Sequence, residues 1–263
     1  MGFTTNDETA DIFVDQLWSK GRLSGVYQLS SLVELDLLYA EQYDTGVIGD
    51  LWKDHHERLA NFIASNIDNQ PIFEIGGAHS ILSVESARYG FDDWTIIEPA
   101  PNPLSGCNAV IHQGFFDAET KLSNQNVLVH PHVLEHVYNP LNFLQLCHNQ
   151  LKAHGVIIFS VQKIHQIVKH NYSNAFNFEH TIFLTRHIID FMLSKVGFSI
   201  GAIKFFHPDH SSFYYCTKTL PNPTAFLRLE TDYDVIFRKY WGKFRKDIVQ
   251  VNGVIDDLDG PFL

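Results

Sequence analysis

Residues 71–83 read PIFEIGGAHSILS. A short apolar run passes through Glu74 and ends in the pair Gly76 and Gly77, and a helical pattern opens near Ser80. This is the pattern of a strand, a tight turn and a helix. Glycine lets the backbone turn and approach a ligand without a Cβ, and the start of the next helix offers unpaired N–H groups. The following apolar run, DWTIIEP at 93–99, ends in a second acid, Glu98, about twenty residues after the first turn. A carboxylate at that distance is placed to accept hydrogen bonds from both hydroxyls of a ribose.

Outward from this pair, the same alternation fills most of the chain. NAVIHQG (108–114), NVLVHP (126–131), VIIFSV (156–161), FSIGAIKFF (198–206) and SFYYCTK (212–218) are short apolar runs bounded by Gly, Pro, Asn or Asp. Helical patterns separate them, in SILSVESARYG (80–90) and in PLNFLQLCHNQLKAHG (140–155), the latter with Gly155 as its expected C-terminal cap. Two further helices are expected before the first strand, over 29–43 and 51–67. Alternating β and α segments predict an α/β fold with a mostly parallel seven-stranded sheet covered by helices on both faces. Its ligands sit beyond the carboxyl ends of the strands. The expected organisation is an N-terminal helical segment (1–66), a core (67–220) interrupted by an insertion at 162–180, and a helical tail (221–263). In the tail, Tyr240 and Trp241 are candidates for stacking on a sugar or base.

Composition narrows the function. With 263 residues and 45% hydrophobic content the chain can bury a substantial core. Nineteen Lys and Arg against thirty Asp and Glu give a net charge of −11, which disfavours a phosphate-tracking surface and nucleic acid. No run of about 18 apolar residues predicts a membrane span, and the N-terminus has no signal-peptide pattern, so a cytoplasmic protein is expected. Cys107, Cys147 and Cys216 are widely spaced and contain no CxxC, and are read as buried thiols.

The loop lacks the third glycine of G-x-G-x-x-G, having Ala78, His79 and Ser80 there, and Glu74 would repel a pyrophosphate. A carboxylate suits a cofactor with a cationic end, such as the ammonium and sulfonium of S-adenosylmethionine. Together, FEIGGAHS, IIEPAP, VIHQGFF and NVLVHPHVLEHVYNPLNFLQLCHNQLKAHGVIIFSV resemble the class I S-adenosylmethionine-dependent methyltransferases over roughly residues 40–218. The resemblance implies their Rossmann-like fold. It also implies Glu74, Gly76 and Gly77 around the methionine part of the cofactor, Glu98 on the ribose, Phe115 and Phe116 beside adenine, and His130 near the cofactor after strand four.

LEHVYNP (134–140) and NAFNFEHTIFLT (174–185) are similar to the sugar-modifying branch, the C-methyltransferases of nucleotide-linked deoxysugars. That likeness implies His136, Glu179 and His180 in the active site. Asn177 and Phe178 depart from the branch, which usually has Tyr and His there, and neither its N-terminal zinc cysteines nor its large C-terminal domain has a counterpart. The expected function is therefore O-methylation of a sugar hydroxyl, on a nucleotide-linked sugar destined for surface polysaccharide. C-methylation of a keto-deoxysugar, a small-molecule acceptor outside sugar metabolism and a noncatalytic cofactor-binding role stand as alternatives. A histidine titrating near neutrality suits the base, with Glu179 supporting it. Asn177, His207 and His210 are expected at the substrate, whereas His55, His56, His165, His170 and His187 are read as surface or helix residues. Metal-ligand types occur at His130, His132 and His136, and at His207, Asp209 and His210, but match no zinc spacing, so no metal is expected. A nicotinamide enzyme would share Glu98, yet would bring a fuller glycine fingerprint and a Tyr-x-x-x-Lys pair.

Overall fold

The computed structural model describes residues 2–3, 12–22, 24–39, 49–122, 124–172, 177–227 and 231–256. Its main sheet has seven strands: β1 (Ile72–Ile75), β2 (Trp94–Glu98), β3 (Val110–Gln113), β4 (Gln125–Pro131), β5 (Leu151–Gln162), β6 (Phe198–Phe205) and β7 (Ser211–Lys218). They lie in the order β6-β7-β5-β4-β1-β2-β3. The pairs among β1 to β5 are parallel, while β7 inserts antiparallel between β5 and β6. Every apolar run read as a strand is one. The strand order reverses between β1 and β4, which opens a crevice at their carboxyl ends.

Besides a single helical turn at Leu35–Leu38, the helices are α1 (Asp50–Ala64), α2 (Ile81–Ala87), α3 (Pro140–Gln150), α4 (Ile164–Lys169), α5 (Arg186–Val196) and α6 (Thr231–Asp256). The period of two along β4 divides the core. Val127 and Val129 face α1, with Leu59, Phe62 and Ile63. Leu128 faces α3 and α5, with Phe143, Leu144, Ile189 and Leu193. Both faces are covered, as the near-continuous apolar runs require. A third cluster joins α6 (Tyr233, Phe237, Tyr240) to α4 and to Tyr27 and Phe183.

Several expectations change. The helix at 140–155 ends at Gln150, and residues 151–155 extend β5 instead, because Leu151 is extended and pairs with Gln125. Gly155 is thus a strand residue, packed tightly against the Asn126 carbonyl. The segment before the core is not wholly helical, since Trp18–Lys20 and Tyr27–Leu29 form a hairpin. Of the helix expected over 29–43, only Leu35–Leu38 is helical, and 40–43 lies outside the described residues. His55, read as a surface or helix residue, does lie on α1 but is fully buried, ringed by Trp52, His132, Phe206 and Phe213. Cys107 is half-buried, unlike Cys147 and Cys216. Tyr240 belongs to the core, its hydroxyl donating to the Tyr172 carbonyl at 2.5 Å, which takes it out of any stacking role. Its neighbour Trp241 packs partly buried against that cluster, edge-on to Phe244.

Candidate active site

At the carboxyl end of β1, Gly76 adopts φ +77°, and a Cβ there would stand 2.5 Å from Val133 Cγ2. Gly77 is equally confined, by Ile96 and by Glu74 Cδ at 3.1 Å. Both glycines are needed because the protein's own side chains occupy the space. Gly76→Ala is expected to cost about 1–3 kcal/mol, through the left-handed backbone and the overlap with Val133. A thermal melt unchanged from the wild type would show that the turn can shift at no cost.

Glu74 lies beneath this turn, 1% exposed, with Oε2 accepting from Trp94 Nε1 at 2.7 Å. Burial pushes its carboxyl up to about 8, opposed by the Trp94 hydrogen bond and reinforced by nearby Glu98. Expected at the methionine end of the cofactor, it supports the turn from below. Glu98 ends β2, its Oε2 accepting from the Ala78 N–H at 3.0 Å and its Oε1 from the Ala100 N–H at 3.1 Å. These bonds tie the first loop to the second acid. Phe115 and Phe116 follow β3, half-buried, the first edge-on to Tyr39 and the second to Phe143. His130 falls inside β4, not after it. It is fully buried and stacked on Phe159 at 4.8 Å, and burial presses it down to about 3, so it is a neutral core residue.

The histidines divide into two groups. His136 and His180 meet with ring centroids 5.0 Å apart. Their approach follows from the docking of the chain after α4 onto the chain after β4. The Thr181 N–H donates to the Glu135 carbonyl and the Thr181 hydroxyl to the Val137 carbonyl, both at 2.9 Å. The hairpin seals the other side, with the Leu29 N–H donating to the Thr181 carbonyl and the Phe183 N–H to the Tyr27 carbonyl. The Tyr39 hydroxyl lies 3.1 Å from His136 Nδ1, Asn177 Oδ1 accepts from the His180 N–H at 2.7 Å, and Gln162 Nε2 donates to His180 Nε2 at 2.7 Å. Glu179 is half-buried and its carboxyl is raised by burial. His207 and His210 belong to the second group, around α1. His207 Nε2 lies 3.6 Å from Asp54 Oδ2, and His210 contacts Trp52 and His55. The expected substrate set is therefore split, Asn177 beside His180 and the other two across the sheet edge.

Residues that sequence reasoning missed connect the groups. His132 Nδ1 donates to Glu135 Oε1 at 2.7 Å, and His132 Nε2 lies 2.8 Å from Ser211 Oγ, which also meets His210 Nδ1. Tyr39 lies far from the core motifs in sequence and carried no signal. Glu135 did carry one, since it stands between two histidine-bearing positions of a quoted motif. No group of three or more metal-ligand side chains is arranged to hold an ion among the described residues. No helix among them is long and apolar enough to cross a membrane.

The buried groups set a pH profile. Burial holds His130 and His136 down to about 3 and His56 down to about 4, so each is neutral in the fold but protonates below about 6.5 when unfolded. Stability is lost as pH falls through that range. Glu74 acts oppositely: unfolded it ionises above about 4.5, folded only near 8, so it lowers stability as pH rises between them. His55 and His210 are held down in the same way, so the histidines outweigh Glu74 below pH 6.5, whereas Glu74 goes on lowering stability above it, up to about pH 8. The urea midpoint is expected to peak near neutrality, and Glu74→Gln to flatten the decline on the alkaline side. A decline unaltered by Glu74→Gln would place its cause elsewhere.

A sheet of order 6-7-5-4-1-2-3 with a single antiparallel insertion, and acids at the ends of β1 and β2, defines the Rossmann-like class I methyltransferase architecture. The methyltransferase domain family matches residues 40–202, and the chain belongs to it. It is an S-adenosylmethionine-dependent methyltransferase. Solved structures share the fold at low identity. The 1,6-didemethyltoxoflavin-N1-methyltransferase of Burkholderia thailandensis is 12% identical with a TM-score of 0.55, over 74% of this chain and 95% of that one. The magnesium protoporphyrin IX methyltransferase of Synechocystis PCC 6803 is 14% identical with a TM-score of 0.50, over 67% and 91%. The CcbJ methyltransferase of Streptomyces caelestis is 9% identical with a TM-score of 0.50, over 68% and 100%. No curated protein matches the sequence. The donor set fits the cofactor: the Glu98 carboxylate at the end of β2, tied to the first loop beside a closed glycine turn, suits a ribose diol better than a diphosphate.

Proposed function

We propose that the protein is an O-methyltransferase acting on a sugar hydroxyl, probed best with nucleotide-linked sugars, and that His180 is its base. The observation that carries this reading is the contact between His136 and His180 at the carboxyl edge of the sheet, beside Asn177, Gln162 and Tyr39. An alcohol needs alignment and removal of one proton, and this edge offers polar groups for the first and imidazoles for the second. When bound, S-adenosylmethionine supplies a methyl group already activated by its positive sulfur. The glycine turn, Glu98, Phe115 and Phe116 hold it in this reading, and Asn177 orients the acceptor.

The two imidazoles take different parts. Burial, and then His180 beside it, keep His136 neutral, and its Nδ1 is engaged by Tyr39. His180 meets an amide that serves either charge state. The Gln162 NH2 donates to a neutral ring nitrogen, and the amide turned over accepts from a protonated one.

A second reading is favoured by Tyr39. C-methylation of a keto-deoxysugar needs a proton taken beside a carbonyl and a donor for the developing oxyanion, and a phenol on His136 provides one. The test is turnover of S-adenosylmethionine with a panel of nucleotide-linked sugars, followed by NMR of the product. A new O–CH3 resonance supports the first reading and a new C–CH3 the second. Turnover confined to acceptors without a sugar would sink both.

A further inference from the structure

The hydrogen-bonded chain around Glu135 has a role that methyl transfer alone does not assign. His132 stands at the end of β4 with φ +50°, a left-handed conformation uncommon outside glycine. It is held there by its N–H to the Ser160 carbonyl at 3.1 Å and to Ser160 Oγ at 3.2 Å. In that pose its ring bridges Glu135 Oε1 and Ser211 Oγ. The Gln162 N–H also donates to Glu135 Oε1, at 3.3 Å. Oε1 thus has two donors, whereas buried Oε2 has none among the described residues. Burial pushes the Glu135 carboxyl up, but His132, by charge and hydrogen bond, and then His136 and His180, pull it down to about 2. It remains ionised while 4% exposed. Beside it lies a cavity of about 10 Å³, lined by Glu135, Gln162 and His180 and by apolar Val161, Ile164 and Phe183. That volume admits the centre of one water molecule, and the three polar residues supply the partners a buried water requires.

We propose that Glu135 is a positioning residue for His180: a single water in this cavity joins its free oxygen to the imidazole, orienting the ring and raising its affinity for a proton. This deepens the base reading and rests on it. As the acceptor oxygen bonds to the methyl carbon, the carbon–sulfur bond of the donor would break to leave neutral S-adenosylhomocysteine, and the acceptor's O–H bond breaks with its proton passing to His180, leaving an imidazolium that faces the Glu135 carboxylate. His132 and Ser211 lock the carboxylate in place and keep its charge. Among the described residues, the groups facing His180 are Glu135 and His136 from the segment after β4, Gln162 from β5, and Glu179 beside it in the chain, with His132 and Tyr39 behind them. Of these, Glu135 alone is an anion held ionised by its surroundings.

The test is an NMR titration of the His180 ring in the full-length protein, wild type against Glu135→Gln and Ser211→Ala, with kcat/KM measured against pH. In Glu135→Gln the His180 pKa is expected to fall by about one unit or more, and kcat by about tenfold. The acid limb of the profile moves with the pKa, while KM and cofactor affinity stay within about threefold. Ser211→Ala shifts the pKa the same way by less. An unchanged His180 pKa in both variants overturns the proposal. Should Glu135→Gln fail to fold, Ser211→Ala and the wild type decide it: a long-lived water giving cross-peaks to the Gln162 amide supports the bridge, and its absence refutes it. A shifted pKa in a protein that methylates no hydroxyl would remove the base reading and leave the coupling standing. Methylation with an unmoved acid limb would do the reverse.

Discussion

His180→Ala is expected to lower kcat by about 10²- to 10⁴-fold while cofactor affinity stays within about threefold. Removing the imidazole removes the proton acceptor but none of the groups at the ends of β1 and β2. His136→Ala should cost less, about tenfold, because its ring is neutral, half-buried and bonded to Tyr39, which suits alignment better than proton uptake. Single-turnover measurements with saturating cofactor separate the two. A loss below about tenfold at both positions would mean that water accepts the proton and that the protein acts by positioning.

Glu98→Ala is expected to raise the dissociation constant of S-adenosylmethionine by about 100-fold, the loss of charge-assisted hydrogen bonds to a ribose diol. The structure adds a second consequence. Glu98 also accepts from the Ala78 and Ala100 N–H groups, so the variant removes the partner of two half-buried donors and should lose about 1 kcal/mol of stability. Glu98→Gln separates the effects, because its amide keeps one oxygen for the backbone while the anionic partner of the ribose is lost. Isothermal titration with S-adenosylmethionine and S-adenosylhomocysteine provides the readout. An unchanged dissociation constant in Glu98→Gln would take this residue off the ribose and leave it as a loop clamp.

The strands were legible because all read as apolar runs bounded by turn residues, and the central ones are buried on both faces. Helix ends were less legible. Gly155 looked like a cap, but pairing between Gln125 and Leu151 drew residues 151–155 into β5, a tertiary choice that local sequence does not encode. The hairpin at 18–29 was missed for a related reason: its strands are three residues long, and Gln28 finds its partner in Ile182. The helix that carries His55 was legible but the burial of its ring was not, because that burial depends on β4 and β7 arriving beneath α1.

The sequence by itself determined the class of fold, the apolar runs that form its seven strands, and the acids Glu74 and Glu98 toward the carboxyl ends of β1 and β2. These depend on periodicity and on motifs contiguous along the chain, where local spacing sets local geometry. Only the tertiary structure decided which side chains share the site. It brought Tyr39 to His136, sent His207 and His210 to α1, enclosed Glu74 and His130, and placed Glu135 behind His180. Those neighbours are set by how side chains from distant segments fill one space and satisfy one another's buried polar atoms, which no stretch of sequence specifies alone.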